Sequence, residues 1–111
     1  MASNGSFHCE IEKLAEDAQG NKVTAVKCHG RLVSVSAGEM KQTVKPLIPL
    51  GGRILIDLSG LDYLDSTGLG TLVGLKVSAI NQGMCILEFV NMSPRIVELL
   101  RITNLTKVLS S

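Results

Sequence analysis

The chain has no tryptophan, one tyrosine and two phenylalanines. So few planar rings leave little on which nucleobases could stack. It has no charge bias either: eleven Lys and Arg stand against ten Asp and Glu, a formal net charge of +1. Composition therefore predicts no nucleic-acid partner and no electrostatic membrane footprint. No apolar run approaches the ~18 residues of a membrane span, and residues 1–5 lack the apolar segment of a secretory signal. Cys9, Cys28 and Cys85 are scattered, without a CxxC pair or a Cys/His cluster at zinc spacing. This sparse, odd set predicts small, partly buried free thiols in a reducing compartment. These absences predict a cytoplasmic domain without membrane insertion, and 111 residues are enough for one unstapled core.

What is present divides into strands and helices. Residues 1–6 read as a flexible polar tail and residues 7–111 as one domain. Phe7, Cys9 and Ile11 alternate with His8, Glu10 and Glu12, a half-buried strand. A turn over residues 17–21 joins it to a second strand over residues 23–28, which predicts an antiparallel hairpin. Ser36 and Glu39 have capping-box spacing, and Met40, Val44, Leu47 and Ile48 continue a helix that Pro46 should kink or end. Ile54, Leu55, Ile56 and Leu58 read as a strand buried on both faces that Ser59 and Gly60 should end. Leu69, Leu72, Val73, Val77 and Ile80 predict a helix whose stripe faces the sheet, with Gly83 as its stop. A strand over residues 84–90, a helix opened by Ser93-Pro94, and a docking segment at Leu105, Val108 and Leu109 follow. The β-β-α-β-α-β-α-(β) order predicts an α/β fold, a mixed sheet of four to five strands with three to four packed helices.

Chemistry is sought first between the buried strand and the long helix, in Leu64-Asp65-Ser66-Thr67-Gly68. Asp65 and Ser66 are helix-start residues, so the Ser66 hydroxyl should stand exposed among unpaired backbone N–H groups. Gly68, Gly70 and Gly74 resemble a dinucleotide fingerprint, but they lie too far past the strand, and close helix-on-strand packing explains such glycines as well. A P-loop Gly-Lys-Ser/Thr and a G-x-S-x-G elbow are absent, and Ser66 has no evident His base. Asp57, Asp62 and Asp65 read as loop and cap residues. His8 and His29 have no ligand partner at useful sequence spacing, so neither is expected to bind metal. No cofactor and no catalytic residue are expected. The residues leave two readings of Ser66: a plain cap, or a kinase substrate whose phosphoryl group would add about −1.5 to −2 charge.

The run ILIDLSGLDYLDSTGLGTLVGL resembles the signature of STAS domains, above all bacterial anti-sigma-factor antagonists, with Leu64 through Gly70 as the matching motif. The resemblance extends from about residue 7 to 109 through the order of elements. It implies that Ser66 is phosphorylated by a serine/threonine kinase that is itself the anti-sigma factor, with Asp65 as flanking cap and Thr67 as alternate acceptor. It further implies a partner surface around Asp65, Ser66, Thr67 and Gly68, and a serine phosphatase that resets the cycle. The chain itself would be no enzyme. Many members carry Gly-Glu-Leu-Asp ahead of the first helix; here Gly30-Arg31-Leu32-Val33 stands there, so Val33 replaces an acid. Related STAS domains are scaffolds of stress-signalling assemblies or subunits of lipid transporters, the alternative role.

Helical spacing puts Leu75 off the expected buried stripe, on one side with Thr71 and Ser78. The partner surface is therefore expected to run from Ser66 along Thr71 to Leu75, joined by Val33. On that reading, Leu75→Ala costs binding and leaves stability within about 1 kcal/mol.

Overall fold

The computed structural model describes residues 7–83 and 85–102. Strands β1 (His8–Leu14), β2 (Val23–Leu32), β3 (Gly52–Leu64) and β4 (Cys85–Val90) form one sheet in the order β1-β2-β3-β4. β1 and β2 are antiparallel, as the short connection predicts, and the β2–β3 and β3–β4 pairs are parallel. Helices α1 (Ala37–Val44) and α2 (Ser66–Gln82) supply the crossovers, and α3 (Pro94–Ile102) is the last element among the described residues. The fold class expected from the sequence is the one found. The N-terminal tail, Met84 and the Leu105–Val108–Leu109 docking segment lie outside the described residues.

Alternation along the strands sorts the sheet into two faces. Val26, Cys28, Ile54, Ile56, Leu58, Leu87 and Phe89 are buried in the core. Cys28 lies against α1, its thiol 3.7 Å from the Met40 sulfur. All three cysteines are free: Cys28 is buried and the other two half-buried. The opposite face carries charge, with Lys27 3.3 Å from Glu12, and with Arg53 bridging Asp17 and Glu88. β3 is accordingly buried on one side more than on both, since Leu55 and Asp57 are only half-covered.

The local signals act as follows. Pro46 ends α1, and the chain continues as a 3₁₀ turn over Lys45–Leu50. Gly83 closes α2 in the left-handed conformation at φ 66°. Ser93 Oγ accepts the Ile96 N–H at 3.3 Å, with Pro94 opening α3. The capping box at Ser36 does not form. Its hydroxyl instead donates to the Arg31 carbonyl at 2.7 Å and accepts the Val33 N–H at 2.9 Å, which closes the β2–α1 loop. β3 also does not stop at Ser59-Gly60. It shifts register there and runs on to pair Leu61, Tyr63 and Leu64 with the extended end of β2.

The largest correction concerns α2. Leu75 is 1% exposed and Thr71 5%, whereas Val77 and Ile80 are 42% and 58% exposed. The buried stripe is Gly68, Leu69, Thr71, Leu72, Leu75, Lys76 and Ala79, turned roughly a quarter of a revolution from the expected one. Two contacts set this rotation. Gly68 lies so close to the end of β2 that a Cβ there would run into the Leu32 carbonyl oxygen. One helical stretch further, the buried Lys76 ammonium donates to the Leu87 carbonyl of β4. Leu75 is therefore core, and its assignment as an exposed contact residue falls.

Two substitution tests follow. Leu75→Ala should cost about 2–5 kcal/mol through the cavity it leaves, measured by urea unfolding. Gly68→Ala should cost about 1–3 kcal/mol by overpacking, while Gly70→Ala, with no atom within 4 Å of its new methyl, should stabilise by about 0.5–1 kcal/mol. Equal effects at the two glycines would contradict the close approach at Gly68.

The β1–β2 turn yields a pH test. The Asp17 carboxylate accepts the Asn21 N–H at 2.8 Å, the Asn21 amide at 3.1 Å, the Arg53 guanidinium at 3.1 Å and the Gln19 N–H at 3.0 Å. The Asn21 backbone bond first, then the others, hold it down to about 2 from an ordinary 3.8. A depressed carboxylate contributes stability in full above its unfolded value and loses it as pH falls through its folded value. Asp17→Asn should therefore be destabilising at neutral pH, with the gap to the parent closing between about pH 4 and pH 2. Paired denaturant titrations across that range measure it.

Candidate functional site

The site is the junction of β3 and α2. β3 ends at Leu64 opposite Leu32 of β2, and the Asp65 N–H donates to the Leu32 carbonyl at 3.3 Å. Asp65 is extended at φ −99°, and its Oδ1 accepts the Gly68 N–H at 2.8 Å. It is thus the N-cap that satisfies one of the helix's free donors. Ser66 is the first residue of α2 and is exposed, as is Thr67. Among the described residues the Ser66 hydroxyl makes no hydrogen bond. Thr71, by contrast, spends its hydroxyl on the Thr67 carbonyl at 2.9 Å. First-turn N–H groups have no intrahelical partner and carry the positive end of the helix dipole, so this corner tolerates negative charge.

Beside it, α1 and α2 border a groove of about 290 Å³. Thr67, Gly70, Gly74 and Ser78 line one wall, and the exposed Lys41 of α1 and Lys45, the first residue of the 3₁₀ turn, line the other. Val33, half-buried, belongs to the loop that Ser36 holds, at the end of β2 from which the α2 junction hangs. Of the residues expected to bind a partner, Ser66 and Thr67 are exposed, Val33 and Asp65 are half-buried, and Gly68, Thr71 and Leu75 are buried. Sequence reasoning missed Lys41 and Lys45. They sit one residue past Met40 and Val44, two of the three buried residues of α1, and that spacing could have found them.

The three acids near the junction have separate duties. Asp57 accepts the Ser59 N–H at 2.9 Å and the Asn91 amide at 3.0 Å, Asp65 caps α2, and Asp62 is exposed. Among the described residues they do not converge on a common point. No helix of the described residues is long and apolar enough to cross a membrane.

Comparison with known proteins places this geometry in a family. A family model described as "Mlab, STAS domain" matches residues 14–110. The anti-sigma-B factor antagonist of Staphylococcus aureus (strain NCTC 8325 / PS 47) is 34% identical over 100 residues, covering 89% of this chain and 88% of that protein. An anti-sigma factor antagonist from Mycobacterium paratuberculosis superposes with a TM-score of 0.71 at 22% identity, over 96% of this chain and 86% of that one. SpoIIAA of Bacillus superposes in its unphosphorylated form with a TM-score of 0.68 and in its phosphorylated form with 0.65, each at 16% identity. These matches cover 90% of this chain and 84% and 86% of the respective SpoIIAA chains. A family match across nearly the whole chain, joined to a relative of that identity and coverage, means that the chain belongs to the STAS domain family.

Proposed function

We propose that this protein is an anti-sigma-factor antagonist whose binding to a cognate anti-sigma serine/threonine kinase is switched off by phosphorylation of Ser66. The observation that carries the reading is the placement of Ser66: exposed, unbonded among the described residues, and first in a helix whose cap is a separate residue, Asp65. A serine that caps its helix would lose the cap when modified; here the two tasks belong to neighbours. Relatives bearing the antagonist name and a structural neighbour solved both unphosphorylated and phosphorylated support it.

In this reading the kinase docks over Ser66, Thr67, Gly70 and the Lys41–Lys45 wall, with Val33 at the edge. Leu75 and Thr71 act from beneath, as packing. The phosphoryl group exchanges a neutral hydroxyl for about −1.5 to −2 charge beside the Asp65 carboxylate. A docked partner then meets a desolvation penalty and repulsion from any acid it places there. The kinase supplies the chemistry, this chain acts as substrate and ligand and not as an enzyme, and a cytoplasmic serine phosphatase resets the state.

Incubation with the cognate kinase and ATP, followed by peptide mass spectrometry, should place the phosphate on Ser66. Ser66→Ala should keep kinase binding and take up no phosphate. Ser66→Asp, with one charge, should weaken binding less than phosphorylation, itself worth about tenfold or more. Phosphate on Thr67 alone, or none, would defeat the assignment. Co-purification with a membrane ATPase, with Ser66→Ala fully functional in the cell, would favour the transporter-subunit role instead.

A further inference from the structure

The sequence gives His8 and His29 no ligand partner, but the hairpin supplies one. Antiparallel pairing sets His8 directly opposite His29, and Glu10 follows two residues along β1 on the same face. The two imidazoles stack with centroids 4.6 Å apart, and His29 Nε2 lies 3.0 Å from Glu10 Oε1. One ligating atom from each of the three side chains falls within a common 4.8 Å. Cys9 and Cys28 point to the other face, toward α1, so the cluster is separate from the thiols.

We propose that His8, Glu10 and His29 form a binding site for a divalent transition-metal ion of the zinc class. Two imidazoles and one carboxylate suit Zn²⁺, Cu²⁺ or Ni²⁺, whereas Mg²⁺ and Ca²⁺ require more oxygen ligands. An ion held at zinc–ligand lengths sets its ligand atoms about 3.3 Å apart in tetrahedral geometry. The 3.0 Å between Nε2 and Oε1 is already close to that, and the exposed His8 ring joins by turning out of the stack so that its lone pair converges on the same point.

Two neighbours prepare the site. Lys27 lies opposite Glu10 but is 3.3 Å from Glu12, so its ammonium goes to the other carboxylate and leaves Glu10 to the imidazoles. Gly60 of β3 lies under the His29 ring, where an added Cβ would stand 2.5 Å from Nδ1. The glycine leaves room for the Nδ1 edge of the ring to lie against β3, and Nε2, which faces Glu10, is the ligating nitrogen. A simple His29–Glu10 ion pair would require neither His8 stacked above it nor the glycine beneath. His8 and Glu10 are exposed on the edge strand β1 and His29 is half-buried on β2 beside it, so the ion has an open path from the β1 side and keeps at least one position for water. Bound there, it ties β1 to β2 across the hairpin.

Calorimetric titration of the full chain with ZnCl₂ tests the site. One ion should bind per chain, MgCl₂ should give no binding, and Zn²⁺ should raise the melting temperature. His8→Gln and His29→Gln should each weaken Zn²⁺ binding by more than about tenfold, and the double variant should lose both the binding and the thermal shift. His8 is exposed on an edge strand, so its variant folds, and circular dichroism checks this for each protein. Absence of zinc binding by the parent chain would overturn the site. So would binding undiminished in the double variant, which would move the ion to the cysteines.

Discussion

The structure turns on how closely α2 approaches the end of β2. The Leu32 carbonyl receives the Asp65 N–H and occupies the space that a side chain at position 68 would need. Only glycine admits that approach, and the approach decides much else. It fixes the rotation of α2, so that Leu72, Leu75 and Ala79 enter the core and Val77 turns outward. It also sets where Ser66 stands, two residues before the contact. The Asp65 carboxylate holds the Gly68 N–H from the other side, so one short stretch is anchored by both its cap and its packing.

This explains which parts of the chain could be read in advance. Elements and their order came through because their signals are local: Pro46, Gly83 and Ser93-Pro94 each act within a turn of where they lie. The rotation of α2 did not come through because its apolar residues are too many. With Leu69, Leu72, Val73, Leu75, Val77 and Ile80 along one helix, several stripes look continuous, and a buried lysine is the last residue one would choose to place inside. Lys76 lies inside because the Leu87 carbonyl is there to accept its hydrogen bond, a partner eleven positions away in sequence. Ser36 failed as a cap for a related reason: the Arg31 carbonyl and Val33 N–H claim its hydroxyl before α1 does. The extension of β3 past Gly60 depends likewise on a strand end that only the tertiary pairing supplies.

The two faces of the sheet differ in how they were legible. Apolar alternation announced the buried face in part: Phe7, Ile54, Ile56 and Leu58 lie in the core, whereas Ile11, expected beside Phe7, is 51% exposed because β1 is an edge strand that the helices cover only at its start. On the charged face, function depends on who stands opposite whom, and pairing register is not written in either strand alone. His8 and His29 are twenty-one positions apart in numbering yet cross-strand neighbours. Reading ligands by linear spacing finds sites within one helix or loop, and it passes over those assembled by a hairpin.

Rigidity at the junction bears on how the proposed switch would operate. Ser66 follows a backbone held by the Asp65 cap and the Gly68 contact, so the cost of a phosphoryl group would fall on the interface more than on the fold. Asp65 sharpens this. Its negative charge, useful as a cap, adds to that of a neighbouring phosphoryl group, and the free N–H groups of the first turn offset the pair only in part. Lys41 and Lys45 line the groove beside Thr67, and the same charge would draw them. Phosphorylation in this setting would withdraw those lysines from an acidic partner as well as repel it. One modification would thus remove an attraction and add a repulsion without moving the backbone that Gly68 holds against Leu32.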